Sequence, residues 1–188
     1  MQLSDTHTHR PDATDAVINY DPTADTYALS RRHTYSVGIH PWRAHFADDA
    51  ALDRVAALAR EDNVVAIGET GLDSLREPAI ETQAALFEWH IRLAVKLKKP
   101  LIIHAVKAWQ LLLDISRPYR PFTTPWIIHG FRGKPQLARQ LLDAGFSLSF
   151  GHRYNPESFA ITPVGRRYAE SDEATLPTDL PGEVSTLL

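Results

Sequence analysis

The sequence predicts an α/β fold, a compact and trimmed (β/α)8 TIM-type barrel in which several crossover helices are short or missing. Eight short apolar runs recur along the 188 residues, and most of them end in a polar residue. Helical patterns separate the later runs, and strands that alternate with helices favour a parallel sheet. Since such barrels usually take about 200 residues or more, a chain of this length must economise on its helices.

Continuous apolar segments such as "VVAI", "LII" and "WII" are typical of strands that are buried on both faces. The eight predicted strands are 2–9, 16–21, 34–40, 63–73, 100–104, 125–130, 146–151 and 166–172.

Four helices are predicted between the later strands, at 48–62, 77–99, 107–116 and 134–145. Asp48 can cap the first helix, and Pro78 falls where a first-turn proline is tolerated. Pro135 and Gly145 suit the start and the end of the fourth helix. Little room for a helix remains after the first two strands, and few residues follow the eighth.

The composition is that of one domain, which we place at residues 1–188 with a short C-terminal tail at 174–188. An apolar fraction of 44% and a charged fraction of 23% are ordinary for a globular protein. We find no membrane-length apolar run and no signal-peptide pattern, so we expect a cytoplasmic protein without a membrane partner. The chain has no cysteine, which leaves His, Asp and Glu as ligands for any metal.

The formal net charge of −3 argues against broad, non-specific binding to nucleic acid. It remains compatible with a small pocket that takes one phosphodiester. No obligate protein partner is evident from the sequence.

Strong metal-ligand residues follow the apolar strands at the points where those strands end. They are His7, His9, Glu69, His104, His129 and Asp172. The carboxyl ends of parallel barrel strands share one rim, where active sites are built. Side chains two apart on a strand point to the same face, so His7 and His9 can both face the barrel axis.

Four histidines and two carboxylates are enough for one or two divalent ions. Imidazole suits Zn²⁺, while carboxylates bring Mg²⁺ and Mn²⁺ within reach. The expected chemistry is activation of water by the ions, with a nearby carboxylate taking the proton. A single histidine after a strand is more often structural, and it is the joint placement of six ligands that favours a site. We assign no role to His33, His45 or His90, and we expect His152 in a surface loop.

Seven motifs in order from residue 2 to about 173 resemble the TatD family of metal-dependent hydrolases, a branch of the amidohydrolase-like barrels. They are "DTHTH", "YSVGIHPW", "VAIGETGLD", "PLIIHAVKAW", "WIIHGFRG", "SFG" and "RRYAESD". The most specific of them is "GETGLD", whereas "HxH" alone is weak. The resemblance implies a metal-dependent nuclease that commonly trims a 3′ end of DNA, with a single-stranded DNA end as the substrate.

The resemblance also implies a role for each residue at the rim. His7 and His9 would bind one metal together with Glu69 and Asp172. A second metal, bridged by Glu69, would be held by His104 and His129. Glu69 and Asp172 would be the catalytic residues, and Asp172 would orient or deprotonate the attacking water.

Three further residues are expected to bind substrate. His40, in the "HP" element, would lie near the scissile phosphate rather than on a metal. Lys107 and Arg132 follow metal histidines and could neutralise phosphate oxygens, although solvated surface cations are an equal alternative. Gly68 and Gly71 flank Glu69, and we expect them to let the backbone approach the ions closely.

The last metal ligand has two candidates, Asp172 in "ESD" and Asp179 in "PTD". We favour Asp172, because "RRYAESD" supplies a strand before it, whereas prolines on both sides of Asp179 oppose a barrel strand.

Three other functions stay open. A phosphoesterase of the polymerase and histidinol phosphatase type would also need a late D-x-H motif, and the only D-x-H here is Asp5-Thr6-His7. A small-molecule amidohydrolase would share the two-metal barrel, and a catalytically inactive binding module would keep the barrel alone.

Overall fold

The computed structural model describes residues 4–177 and 180–187, and it confirms the predicted barrel. Eight strands, all paired in parallel, lie side by side in chain order. They are β1 Asp5–Thr8, β2 Ala16–Tyr20, β3 Thr34–Val37, β4 Val64–Asp73, β5 Leu101–Val106, β6 Trp126–Ile128, β7 Ser147–Phe150 and β8 Arg167–Ala169.

The helices are short or missing between several strands, as expected from the length of the chain. They are α1 Asp49–Leu58, α2 Ile80–Leu97, α3 Trp109–Ser116, α4 Pro135–Asp143 and α5 Pro156–Ile161, with 3₁₀ helices at Pro41–Phe46, Arg117–Tyr119 and Val164–Arg166. Within the described residues, no helix joins β1 to β2 or β2 to β3. The short α5 and the 3₁₀ helices were not predicted. No helix of 4–177 or 180–187 is long and apolar enough to cross a membrane.

Local capping explains where two of these helices begin. The Asp48 carboxylate accepts a hydrogen bond from the Ala51 amide at 2.8 Å and starts α1. Asn155 accepts one from the Ser158 amide at 3.0 Å and starts α5, with Pro156 in the first turn. Each side chain satisfies one of the amides that a helix start leaves unpaired.

The barrel closes between β8 and β1, and this closure sets the position of Asp172. The Asp172 amide donates to the His7 carbonyl at 2.9 Å, and the His9 amide donates to the Asp172 carbonyl at 3.0 Å. Deeper in the same seam, the Thr6 hydroxyl donates to the Ala169 carbonyl at 2.8 Å. The last predicted ligand is therefore held beside the first two by backbone hydrogen bonds.

Consecutive strand residues pack on opposite sides of the sheet, as the period of two requires. Ile18, Ile67 and Ile103 belong to the main core shared with the helices. Their preceding neighbours form a separate small cluster, which is Val17, Ala66 and Ile102. Leu187 packs against that cluster, so the C-terminal tail contacts the barrel near its end.

One buried histidine joins α2 to the chain just after β3. His90 is fully buried, and its Nδ1–H donates to the Leu86 carbonyl at 2.9 Å. Its Nε2 accepts from the Ile39 amide at 3.1 Å. These partners require the neutral ring, and burial lowers the pKa of His90 to about 4. His90 is thus a structural residue next to His40.

Replacing His90 by Asn should reduce the loss of stability in acid. In the unfolded chain His90 takes up a proton below about pH 6.5, whereas the folded protein takes it up only near pH 4. The neutral His90 ring therefore stabilises the folded state fully above pH 6.5. As the pH falls from 6.5 to about 4, the free energy of unfolding decreases by on the order of 3 kcal/mol. Urea unfolding of both metal-free proteins near neutral pH and near pH 4.5 measures it. If the free energy of unfolding changed by the same amount between these two pH values in both proteins, this role of His90 would be contradicted.

Candidate metal centre

A local break in β4 aims Glu69 into the barrel mouth. The register of β4 against β5 shifts around this residue, which is typical of a β-bulge. Gly68 and Gly71 have φ angles of 127° and 143°, and a Cβ there would lie 2.4 Å from the Ile102 carbonyl oxygen and 2.0 Å from that of His104. The close approach that these glycines permit in the structure is to the backbone of β5, and the expected approach of the backbone to the ions stays a prediction.

One oxygen of Glu69 faces the residues of β1 and Asp172. Glu69 Oε2 lies 3.5 Å from both His7 Nε2 and His9 Nε2. The same two nitrogens lie 3.8 and 3.6 Å from Asp172 Oδ1. His7 is fully buried, yet neither of its ring nitrogens has a hydrogen-bond partner among the described residues. A buried imidazole without partners is costly unless something else satisfies it.

The other oxygen of Glu69 faces three more histidines. Glu69 Oε1 lies 2.7 Å from His129 Nε2, 2.9 Å from His104 Nδ1 and 3.2 Å from His40 Nε2. His104 Nδ1 and His129 Nε2 are 3.3 Å apart. The two carboxylate oxygens therefore point into two separate groups of imidazoles.

Two further carboxylates hold the outer nitrogens of His104 and His129. His104 Nε2 lies 3.4 Å from Asp73 Oδ2, and His129 Nδ1 lies 3.3 Å from Glu170 Oε1. A carboxylate behind a histidine is the usual partner of a metal-binding imidazole, because it fixes the ring and places the lone pair on the inner nitrogen. Asp73 is itself fixed by the indole N–H of Trp42, which donates to Oδ2 at 2.8 Å.

His40 differs from these two residues in its outer partner. Its Nδ1 accepts a hydrogen bond from the Trp42 amide at 3.2 Å. In the neutral ring the proton must then be on Nε2, the nitrogen that faces Glu69. His40 therefore presents an N–H donor to the site, whereas His104 and His129 can present lone pairs.

The charges of the site are strongly coupled. Burial by itself would raise the pKa of Glu69, but the charge of His129 and hydrogen bonds from His104, His129 and His40 hold that pKa well below its usual value. Burial would lower the pKa of His129, yet Glu69 and Glu170 raise it well above normal. The pKa of His9 is also raised, because Glu69 and Asp172 outweigh the effect of its burial. Both shifts favour the protonated form of the histidine that lies between carboxylates.

The residues present fit divalent ions. Among residues 4–177 and 180–187, four triads of His, Asp and Glu have ligand atoms within 4.8 Å of one another. They are His7–Glu69–His129, His7–His9–Asp172, His40–Glu69–His104 and His129–Glu170–Asp172. The unpartnered nitrogens of His7 and the imidazole and carboxylate donors match what Zn²⁺, or a harder ion such as Mn²⁺, requires.

Three adjoining cavities meet at Asp172 on this rim. The largest, about 660 Å³, has Glu69, His104 and His129 in its wall together with Trp42 and Phe46. A second, of about 530 Å³, is lined by His104, His129, Lys107 and Arg132. The third, of about 310 Å³, is lined by Arg132, Arg153 and Glu170. The predicted substrate cations Lys107 and Arg132 are therefore exposed at the mouth beside the histidines.

The structure brings Glu69, the other five predicted ligands and His40 together at one rim. The alternative ligand Asp179 lies outside the described residues. Sequence reasoning missed Asp73, Glu170 and Trp42 as partners of the site histidines. Signals for them were present, since Asp73 ends "GETGLD", Glu170 begins "ESD" and Trp42 ends "HPW". Their types and spacing do not reveal which histidine each one contacts.

A solved structure supports the fold. The chain is similar to a TatD family hydrolase from Entamoeba histolytica, with a TM-score of 0.73 and 19% identity, over 90% of this chain and 73% of that one. At this identity the likeness shows the barrel fold alone.

Two curated relatives are similar in sequence. The "Uncharacterized metal-dependent hydrolase TatD" of Mycobacterium tuberculosis is 35% identical over 157 residues, which cover 76% of this chain and 58% of the relative. The "3'-5' ssDNA/RNA exonuclease TatD" of Cronobacter turicensis is 33% identical over 165 residues, which cover 82% of this chain and 60% of the relative. The chain thus spans about three-fifths of the length of these relatives.

The family model described as "TatD related DNase" matches residues 16–181, which is most of the chain. The match includes Glu69, His104, His129 and Asp172, which the barrel places at one rim. With this match, and with a relative that is 35% identical over three-quarters of this chain, the chain belongs to the TatD-related DNase family.

Proposed function

We propose that this chain is a metal-dependent hydrolase that cleaves phosphodiester bonds, removing nucleotides from the 3′ end of single-stranded DNA. The observation that carries the proposal is the position of the Glu69 carboxylate between two groups of imidazoles. Oε2 lies 3.5 Å from the first group, and Oε1 lies within 2.9 Å of His104 and His129 in the second. One carboxylate between two sets of nitrogen donors offers ligands for a pair of divalent ions.

Two ions would be held by six residues. One would be bound by His7, His9, Glu69 and Asp172. The other would be bound by Glu69, His104 and His129. When bound, divalent ions such as Zn²⁺, Mg²⁺ or Mn²⁺ supply the positive charge that activates water and neutralises phosphate oxygens.

The protein residues divide the remaining work. The Asp172 side chain is 34% exposed in the wall of all three cavities, so its carboxylate can orient the attacking water and take its proton. The Nε2–H of His40 can donate to a phosphate oxygen where negative charge develops, because its proton is fixed on that nitrogen.

Nucleic acid is the substrate class that best fits the rest of the rim. Lys107 and Arg132 are exposed at the mouth of the cavity that His104 and His129 line, where a phosphate next to the scissile bond would lie. The name of the Cronobacter relative, a 3′-5′ exonuclease acting on single-stranded DNA and RNA, supports the same class and direction.

Glu69→Gln should abolish hydrolysis of a 5′-labelled single-stranded oligonucleotide. The amide keeps the shape of the side chain but removes the charge that both groups of histidines face. We expect a loss larger than the ~100-fold that outer-sphere substitutions reach. Product laddering on a gel, with added Mn²⁺ or Zn²⁺, measures the rate.

The matched control is Glu88→Gln, an exposed carboxylate on α2 that pairs with Arg92. It should leave the rate unchanged. Unmodified protein that remains fully active in EDTA, or that cleaves only amides or lactones in a small-molecule panel, would reject the proposal.

Metal binding should release protons and should strengthen as the pH rises. In the metal-free protein the pKa of His129 is raised well above normal, which favours the protonated ring near neutral pH, and the pKa of His9 is raised in the same direction. A cation must displace those protons, so the affinity falls as the pH drops below the raised values. Calorimetric titration with Zn²⁺ or Mn²⁺ in buffers of different ionisation enthalpy counts the protons. An affinity that does not change with pH would contradict the assignment of these ligands.

Glu170→Gln should weaken metal binding although Glu170 touches no ion in this scheme. The neutral amide no longer stabilises the ring of His129 at 3.3 Å, so we expect metal affinity to fall about 10- to 100-fold. Glu173→Gln, an exposed carboxylate of the same cavity, is the control. A Glu170→Gln protein that loses stability but keeps its metal affinity would show a structural role only.

A further inference from the structure

We propose that Trp42 and Phe46 form a base-stacking platform, here named the aromatic shelf, for the terminal nucleobase of a single-stranded nucleic acid. The inference rests on the proposed function and names the part of the substrate that one cavity takes. Neither the comparisons nor the motifs assign a role to this shelf.

The shelf adjoins the metal centre through the chain itself. The 3₁₀ helix Pro41–Phe46 begins immediately after His40, whose Nε2 lies 3.2 Å from Glu69. Trp42 and Phe46 line the same cavity of about 660 Å³ as Glu69 and His104. Ligand pockets typically enclose about 300–1,000 Å³, so this cavity has room for a nucleoside beside the reacting phosphate.

Both rings of the shelf remain exposed. Trp42 is 42% exposed and Phe46 is 49% exposed, whereas most of the large aromatic side chains of this chain are buried. Each ring thus keeps part of its surface open to solvent beside the metal centre, and a π-face that no neighbour covers can stack on any base. A sequence-tolerant platform is what an exonuclease requires, because successive terminal bases differ.

Neighbouring side chains hold the shelf in place. The indole N–H of Trp42 donates to Asp73 at 2.8 Å, and the guanidinium of Arg76 lies 4.9 Å from the Trp42 ring centroid. The Phe46 ring has two neighbours, the guanidinium of Arg43 at 4.8 Å and the tilted ring of His45 at 3.9 Å between centroids, so a base would stack on the part of Phe46 that both leave open. Rings that are already fixed lose little conformational entropy when a base binds.

The charges around Asp172 indicate how a bound strand would be oriented. They favour binding of the terminal nucleoside on the shelf and of the remaining phosphates on the other side of Asp172. Asp21 and Asp25 line the cavity of the shelf and neither of the other two, and its one arginine, Arg43, lies 3.8 Å from the Asp21 carboxylate. These carboxylates oppose a further phosphate there.

The exposed cations Lys107, Arg132 and Arg153 line the other two cavities, beyond Asp172. They suit the phosphates of the strand that continues away from the cleavage point. The strand would therefore end on the shelf, and its last base would be the one that stacks.

Binding of two labelled probes tests the inference without turnover. The first is a short oligothymidylate with a 5′ fluorophore, and the second is the same strand with an abasic sugar at its 3′ end. Fluorescence anisotropy in EDTA gives both affinities. We expect the complete strand to bind about 5- to 150-fold more tightly, the range for stacking of one base on an aromatic side chain.

Phe46→Ala should remove most of that difference and leave the affinity for the abasic strand unchanged. Val95→Ala is the control, since Val95 is similarly exposed, at 45%, but lies on α2. Trp42→Phe keeps a ring and loses the hydrogen bond to Asp73, so it should retain the preference for the complete strand. Thermal unfolding verifies that each variant is folded.

Each outcome decides between the two proposals. Equal affinity of the unmodified protein for both strands, or an equal loss for both in Phe46→Ala, would overturn stacking. If the unmodified protein still cleaved the complete strand with metal added, the nuclease proposal would stand alone. If it neither bound nor cleaved either strand, both proposals would fail.

Discussion

The site depends on one buried carboxylate. Glu69 is 2% exposed and lies among five imidazoles, which belong to His7, His9, His40, His104 and His129. A buried charge is costly unless opposite charge and hydrogen bonds compensate it. Here the compensation comes from four different strand ends, which only a closed parallel barrel brings to one point. The bulge in β4 and the closure of β8 on β1 both serve this convergence, because they fix Glu69 and Asp172 opposite each other.

The outer hydrogen bonds of the histidines separate their roles. Asp73 and Glu170 accept hydrogen bonds from the outer nitrogens of His104 and His129. The inner nitrogens of these two rings can therefore present their lone pairs to the site. The backbone amide of Trp42 donates to the outer nitrogen of His40, so its inner nitrogen keeps a proton. Three rings that contact the same oxygen of Glu69 are thereby divided into two that can offer a lone pair to a cation and one that donates a hydrogen bond. Trp42 connects the two sets, since its indole fixes Asp73 while its amide fixes His40.

The rim is asymmetric in charge. Exposed cations lie beyond β5, β6 and β7, whereas carboxylates and exposed aromatic rings lie beyond β2 and β3. A substrate with one charged end and one flat, neutral end would be oriented by such a field before any specific contact formed. The same asymmetry explains how a chain with a net charge of −3 could act on a polyanion, since the local arrangement of charge matters more than its sum.

The sequence alone determined the order of strands and the ligand types at their ends. Apolar runs that end in His7, Glu69, His104, His129 and Asp172 are local patterns, and the parallel barrel turns them into one rim. Only the tertiary structure decided which carboxylate contacts the outer nitrogen of which histidine. It also decided that the backbone of β5 lies against Gly68 and Gly71, and that a short helix, α5, lies between β7 and β8. These features depend on contacts such as that of His129 with Glu170, 41 residues apart. Periodicity fixes the face on which a side chain lies, but the packing of distant strands fixes what that side chain meets.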